Sequence, residues 1–167
     1  MAKSDSTRVS SDKYFKVVAD NRKARFDFII LEKYKAGLIL EGFEVKSIRL
    51  GKVNLKESFG RVENEEVWIY GMHINPYKSA DKGKIDPVRP RKVLLKKREL
   101  VKLIGKVAEK GLTLVPLKIF FDGNWAKVEL GLAKAKKKYE KRETLRTREV
   151  KREIEKAFKG KTYGRTS

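Results

Sequence analysis

Most of the side chains in this sequence that could do chemistry are cationic. Forty-two Lys and Arg stand against 22 Asp and Glu, so the formal net charge is +20. The chain has no Cys and one His, His73. Cysteine nucleophiles, disulfides and Cys/His metal sites are therefore excluded, and a single His without a partner constellation is a weak candidate for a general base. This composition favours binding of a polyanion, with nucleic acid the first candidate and an anionic membrane surface the second.

The basic residues concentrate in four stretches. They are "NRKAR" at 21–25, "VKSIRLGK" at 45–52, "RPRKVLLKKR" at 89–98 and "AKAKKKYEKR" at 133–142. Lys and Arg contacts to phosphates position a nucleic acid without reading its sequence. Four such clusters predict that the protein holds a long or folded backbone at several points.

Aromatic residues offer a second kind of contact, because any nucleobase can stack on an aromatic ring. Trp68, Tyr70 and Trp125 could stack bases on a sheet face, and packing within the domain is the alternative for each. Tyr139 differs from them because it lies inside the last basic cluster without apolar neighbours.

The elements that must position these clusters are mainly strands. β-branched and aromatic residues predict strands at 14–19 and 25–34, and a hairpin at 57–72 turns around Asn64. The apolar spacing at 43–51 predicts a short helix that stops at Gly51.

A second helix and a second hairpin are predicted further along the chain. Helical spacing covers 96–111, and the hairpin at 112–133 turns through "DGN". Pro116 predicts an edge or a bulge in that hairpin, and the Pro-rich residues 75–91 predict an irregular connection.

These elements predict a mainly β fold, an OB-like β-barrel with short helices, and a mixed α+β sheet is the rival fold. The predicted domains are a disordered leader at 1–13, the barrel at 14–133 and a flexible basic C-terminal tail at 134–167. No apolar run is long enough to span a bilayer, and no signal peptide is visible. The protein is expected to be cytoplasmic.

The tail contains 14 Lys and Arg and five Glu, a net charge of 14 − 5 = +9. It has no Gly or Pro between residues 136 and 159, and Val150, Ile154 and Phe158 form a narrow apolar stripe. Self-repulsion makes such a helix marginal alone in water. We expect the tail to be frayed when free and helical against an anionic partner, with a solvated helix packed on the domain as the alternative.

Six stretches, in this order along the chain, resemble the SmpB family, the protein partners of transfer-messenger RNA (tmRNA) in bacterial ribosome rescue. They are "NRKAR", "GFEVKSIRLGKVNLKES", "HINPY", "RPRKVLLKKRE", "GLTLVPLKIFF" and "AKVELGLAKAKKKYEKRE". The resemblance implies an OB-like barrel that binds the tRNA-like domain of tmRNA and mimics the anticodon arm. It implies delivery of tmRNA to the A site of stalled ribosomes, where the tail lies in the empty mRNA channel against 16S rRNA.

The resemblance also assigns residues. For tmRNA binding it implies Asn21, Arg22, Lys23, Arg25, Lys46, Arg49, Leu94, Leu95, Lys127, Lys134, Lys136 and Lys137. For the decoding centre and the mRNA channel, the match of Tyr139, Lys141 and Arg142 is extended along the tail to Arg146, Arg148, Lys151 and Arg152. The sequence departs from the family pattern at Lys35, Ala135 and Glu140.

No catalytic residue, cofactor or metal is expected, and the protein is expected to be a monomer that does not bind membranes. Alanyl-tRNA synthetase and elongation factor Tu are candidate partners through tmRNA. The alternatives are a general OB-type RNA-binding or ribosome-associated protein and, from the residues alone, a nuclease with His73 as base.

Overall fold

The computed structural model describes residues 15–77, 86–109 and 111–162, and the fold is mainly β. The strands are β1 (Phe15–Asp20), β2 (Phe28–Leu38), β3 (Val53–Asn54), β4 (Phe59–Glu63), β5 (Glu66–Tyr70), β6 (His73–Ile74), β7 (Arg91–Leu94), β8 (Leu112–Asp122) and β9 (Trp125–Ala135). The helices are α1 (Arg22–Asp27), α2 (Gly42–Arg49), α3 (Lys97–Val107) and α4 (Lys138–Thr162).

The main sheet closes on itself. Its order is β1-β8-β4-β5-β7-β2-β9, and β9 also pairs with β8, so six strands form a ring with β1 outside it on β8. β4 joins β8 at Gly60 and Leu114. A Cβ at Gly60 would lie 2.7 Å from the Leu114 Cβ, so glycine allows the close approach that closes the ring. The predicted mainly β class is confirmed.

The core fills the interior of this ring. Alternate residues of β2, such as Tyr34, Ala36 and Leu38, are buried, and β9 contributes Val128, Leu130 and Leu132. Leu103 anchors α3 to the same core, and Ile48 anchors α2. The helices are therefore held by apolar contacts that leave their basic residues outside.

Both predicted hairpins are confirmed. Asn64 and Glu65 have positive φ values of 49° and 59°, which is the geometry of a two-residue hairpin turn whose twist matches the strands. β8 and β9 are joined at Gly123, whose φ is 62°. The pairing register shifts between Pro116 and Lys118, which is the bulge predicted from Pro116.

The prediction of a strand at 25–34 is wrong at its beginning. Residues 22–27 form α1, because the Asn21 side chain accepts a hydrogen bond from the Ala24 N–H and so starts a helix. The strand begins at Phe28 and continues to Leu38.

Other boundaries also differ from the predictions. β9 extends to Ala135, which pairs with Phe28, two residues beyond the predicted end of the barrel. The leader at 1–13 lies outside the described residues, as does 78–85 within the predicted irregular connection.

The tail forms the long helix α4. Its first turn is capped by Glu140, whose side chain accepts a hydrogen bond from the Lys137 N–H at 2.6 Å. The Val150, Ile154 and Phe158 side chains are 54%, 50% and 70% exposed, so the apolar stripe is largely uncovered. The first turns of α4 contact α1 through Lys141 and Arg148, which favours the alternative of a helix packed on the domain for that part, and fraying stays a prediction for the later turns.

Candidate RNA interface

The proposed RNA-binding residues fall into two groups along the β8–β9 ribbon. Lys127 stands near the start of β9 and Lys134 near its end, about 23 Å apart at ~3.3 Å per strand residue. The hairpin-end surface contains Arg49, Leu94 and Lys127 around the β8–β9 turn, with Lys46 one turn before Arg49 on α2. The tail-end surface contains the residues of α1 and of the β9–α4 junction: Arg22, Lys23, Arg25, Lys134, Lys136 and Lys137.

Arg49 is the central cation of the hairpin-end surface. Its guanidinium lies 5.5 Å from the centroid of the Phe121 ring, so a cation–π contact holds it over β8 without a carboxylate partner in the described chain. Arg49, Lys16 and Asn124 line a cavity of about 300 Å³. An exposed guanidinium without an ion pair can bind a phosphate with no internal bond to break.

Leu94 and Lys127 lie on a second cavity, of about 460 Å³, beside the same turn. Exposed apolar side chains form its wall: Ile39 is 44%, Leu94 53% and Trp125 76% exposed. The Lys127 Nζ is 2.5 Å from the Asp122 carboxylate. Apolar surface next to a cation suits the ribose or base together with its phosphate.

Leu95 differs from Leu94. It is half-buried and packs against the core, so its side chain supports the surface from below. Lys46 is exposed and its ammonium lies 5.6 Å from the Tyr77 ring centroid. Leu95 therefore supports the hairpin-end surface, and Lys46 places an exposed cation at its border.

A buried ion pair holds α2 in place and so positions Lys46 and Arg49. Glu44 and Arg91 are both 1% exposed. The Arg91 Nε donates to the Glu44 carboxylate at 2.8 Å, and the Arg89 Nη2 donates to its other oxygen at 2.5 Å. Arg91 also donates to the Met72 carbonyl at 2.5 Å.

This pairing corrects the interpretation of residues 89–98 as one basic patch. Arg89 and Arg91 are used internally, and only the later cations of that stretch, Lys96, Lys97 and Arg98, are exposed. A buried guanidinium is retained only where a carboxylate and carbonyls satisfy it, which explains the three carbonyls and Glu44 around Arg91.

The Glu44 carboxylate has a lowered pKa. Burial alone would raise it, but the hydrogen bonds from Arg89, the Glu41 N–H and Arg91 outweigh that effect. A depressed folded-state pKa gives stability that is present above the unfolded value of 4.5 and is lost as pH falls through the folded value.

We expect the free energy of unfolding to decrease as pH falls below about 4.5, with little change between pH 5 and 7 contributed by this group. Urea unfolding between pH 3 and 7 measures it. Glu44→Gln should flatten the acid limb, whereas Glu57→Gln, at a carboxylate 79% exposed, should not. An acid limb unaltered by Glu44→Gln would refute this assignment.

Asn21 lies on the tail-end surface but inside the protein. It is 3% exposed, and its Nδ2 donates to the carbonyls of Leu55 at 2.8 Å and Pro116 at 3.0 Å. Its Oδ1 caps α1, so both the oxygen and the nitrogen of the amide are hydrogen-bonded within the fold. The structure gives Asn21 a role in positioning α1, and a contact of Asn21 with RNA stays a prediction.

The cations of α1 are more available. Arg22 is exposed and has no carboxylate partner among the described residues. Lys23 pairs with Glu57 at 2.6 Å and Arg25 with Asp20 at 2.8 Å, both at the surface, where such pairs are weak. All three can therefore reach a phosphate.

The junction cations continue this surface. Lys134 and Lys137 are exposed, and the Lys136 N–H donates to the Asp27 carbonyl at 2.9 Å. Further along α4, Tyr139 is 63% exposed, and Arg142, Arg146, Lys151 and Arg152 are exposed. Lys141 and Arg148 instead contact α1, through Asp27 and Phe26.

The comparisons with known proteins agree with this geometry. The sequence profile described as SmpB protein matches residues 18–160, which span the ring and most of α4. The chain belongs to the SmpB family. An SsrA-binding protein of Carboxydothermus hydrogenoformans is 59% identical over 146 residues, covering 87% of this chain and 98% of that protein.

Two further relatives support the SmpB assignment. An SsrA-binding protein of Geobacillus thermodenitrificans is 56% identical over 144 residues, covering 86% of this chain and 93% of that protein. A chain of a solved structure described as "tmRNA-SmpB: a journey to the center of the bacterial ribosome" is 52% identical, with a TM-score of 0.62 over 73% of this chain and 85% of that chain.

Sequence reasoning missed several residues of the interface. Lys16, Phe121 and Asn124 join Arg49 only through the fold, and no local pattern marks them. The sequence predicts base stacking or packing for Trp125 but does not place it beside Leu94, which comes from the pairing of β2 with both β7 and β9. In the described ranges no three His, Asp or Glu come together as metal ligands, and no helix could cross a membrane.

Proposed function

We propose that this chain binds tmRNA, the SsrA RNA, and delivers its tRNA-like domain to the A site of stalled ribosomes in trans-translation. The observation that carries the proposal is the pair of cationic surfaces on one closed ring, in a chain of the SmpB family. The ring fixes their separation, so together they fit a folded RNA with two backbone segments held apart, rather than a flexible single strand.

The hairpin-end surface supplies the more selective contact in this proposal. Arg49 and Lys127 meet phosphates, while Leu94 and Trp125 offer apolar surface to an unstacked base or ribose. The tail-end surface, with Arg22, binds backbone without reading sequence. Residues of the ring and of the helices α1 and α2 therefore carry most of the RNA affinity.

The tail acts on the ribosome in this proposal. Tyr139, Lys141 and Arg142 contact the decoding centre of 16S rRNA, and the later cations follow the walls of the mRNA channel. A channel occupied by message excludes α4 sterically, so only a ribosome with an empty channel accepts it. The protein is an adaptor without a catalytic step. Alanyl-tRNA synthetase and elongation factor Tu act through tmRNA, and a monomer suffices.

Neutralising Arg49, the central cation of the hairpin-end surface, should weaken tmRNA binding. We expect Arg49→Gln to reduce affinity by about 10-fold at 150 mM salt and to lower the slope of log K against log salt by roughly 0.9. Gel-shift titration with the tRNA-like domain at several salt concentrations measures both. The matched control is Arg61→Gln on β4, which removes one exposed charge outside both surfaces.

The contrary outcome is equal loss for Arg49→Gln and Arg61→Gln, which would mean that net charge alone governs binding. A general RNA-binding or ribosome-associated protein is the competing function. It predicts equal affinity for tmRNA and for an unrelated folded RNA of the same length, and stable association with actively translating ribosomes.

A further inference from the structure

Asp27 joins the RNA-binding ring to the tail. It ends α1, and its Oδ1 accepts a hydrogen bond from the Lys141 Nζ at 2.8 Å in the first turns of α4. Its carbonyl accepts from the Lys136 N–H at 2.9 Å. The carboxylate is 23% exposed and stands near the N-terminus of α4, where the helix dipole favours a negative charge.

Neighbouring contacts extend the same junction. The Arg148 guanidinium lies 5.5 Å from the centroid of the Phe26 ring, two turns beyond Lys141. The Lys136 Nζ donates to the Arg25 carbonyl at 3.3 Å. Ile29 of β2 lines a cavity of about 430 Å³ under this part of α4. The first three turns of α4 therefore contact α1, and a cavity separates them from Ile29 of β2.

We propose that Asp27 is a positioning residue that orients the tail relative to the RNA-binding ring before the ribosome is engaged. Because α1 also carries Arg22 and Arg25, the segment that binds RNA and the segment that holds α4 are the same six-residue helix. The inference rests on the proposed function for its biological meaning, but not for its geometry.

The residue that Asp27 holds is one that the ribosome would need. Lys141 belongs to the group assigned to the decoding centre, and an rRNA phosphate that binds its ammonium would compete with Asp27, because the two anions repel each other. The Lys141 and Asp27 side chains are 37% and 23% exposed, and an ion pair this close to the surface is weak enough to exchange. The Asp27–Lys141 pair thus keeps α4 aligned in the free protein and releases it when phosphates take Lys141.

Spin-label distances test the geometry directly. The chain has no Cys, so Arg61→Cys on β4 and Arg152→Cys on α4 give a unique labelled pair in the full-length protein. With Asp27 intact we expect one narrow distance distribution, and Asp27→Asn should make it about twofold wider. Asp20→Asn is the matched control, because it also removes one carboxylate charge beside α1, and that carboxylate pairs with Arg25 of α1 rather than with α4.

The charge swap gives a second test of the pair itself. Asp27→Lys combined with Lys141→Asp should restore the narrow distribution that either change alone broadens. Equal widths for the intact protein and Asp27→Asn would overturn the proposal. A broad distribution in the intact protein would overturn it as well, because α4 would then not be held.

A functional readout separates this proposal from the proposed function. Asp27→Asn should leave tmRNA affinity within about twofold while slowing peptide tagging on stalled ribosomes by roughly 5-fold or more. Unchanged tagging would contradict the positioning role. Lack of tmRNA preference in the intact protein would instead reject the proposed function, and the distance measurements would still decide the geometry.

Discussion

Truncation after Lys138 should abolish the tagging of stalled peptides and leave tmRNA binding nearly intact. The truncation removes α4 from Tyr139 onward and with it the cations assigned to the decoding centre and the mRNA channel. Arg22 on α1, Arg49 on α2 and Lys127 on the ring all remain, so affinity for the tRNA-like domain should change by less than about 3-fold. Tagging should fall by at least about 100-fold, because entry of α4 into the empty channel is required for it.

Gel shift and a reconstituted tagging reaction measure the two effects on the same preparations. Truncation after Thr162 is the matched control, since it removes five residues beyond α4, and the family profile ends at residue 160. It should retain both binding and tagging. If the protein truncated after Lys138 lost RNA affinity but retained tagging, the assignment of RNA binding to the ring and of tagging to the tail would be wrong.

Glu44→Ala should produce the largest loss of stability among single substitutions of the charged residues. It leaves the Arg91 guanidinium, which is 1% exposed, buried without its carboxylate. Breaking a buried pair in this way costs about 3–5 kcal/mol in free energy of unfolding. Arg89 also loses its two hydrogen bonds to Glu44. The position of α2, and with it Arg49, depends on this carboxylate.

Urea unfolding at pH 7 measures the loss. Glu57→Ala is the control and should change the free energy of unfolding by less than about 1 kcal/mol, because its ion pair with Lys23 is exposed. A loss below about 1 kcal/mol for Glu44→Ala would show that the cluster contributes little. Where Glu44→Ala does not fold, Glu44→Gln, which keeps the shape and part of the hydrogen bonding, should fold with an intermediate loss.

Local patterns were sufficient to predict most of the β elements. The turn at Asn64, the bulge at Pro116 and the hairpin at Gly123 each follow from a residue with a strong backbone preference. The helices α2 and α3 follow from apolar spacing that places Ile48 and Leu103 in the core. These signals act within a few residues of one another, so they can be recognised in the sequence without knowledge of the fold.

α1 was missed because its signal competes with a strand pattern. "RFDFIILEKY" is rich in aromatic and β-branched residues, and only Asn21, which caps the helix, argues for helix at its start. The deciding contacts of Asn21 reach Leu55 and Pro116, which are far away in sequence. Local propensity could not show that this amide would be buried.

The charged residues were the least predictable part of the interface. Arg91 belongs to a basic stretch, yet it pairs with Glu44, 47 residues away. Lys141 pairs with Asp27 across 114 residues. A sequence shows how many cations there are, but only the fold shows which of them are already bound to a carboxylate.

Pull-down of the intact protein from cells, followed by sequencing of the bound RNA, tests the central claim most directly. The account predicts that tmRNA is the most enriched RNA, and that it stays enriched with the protein truncated after Lys138 while ribosomal RNA is lost. Recovery of ribosomal RNA without enrichment of tmRNA would contradict the claim that the ring is an SsrA-binding surface.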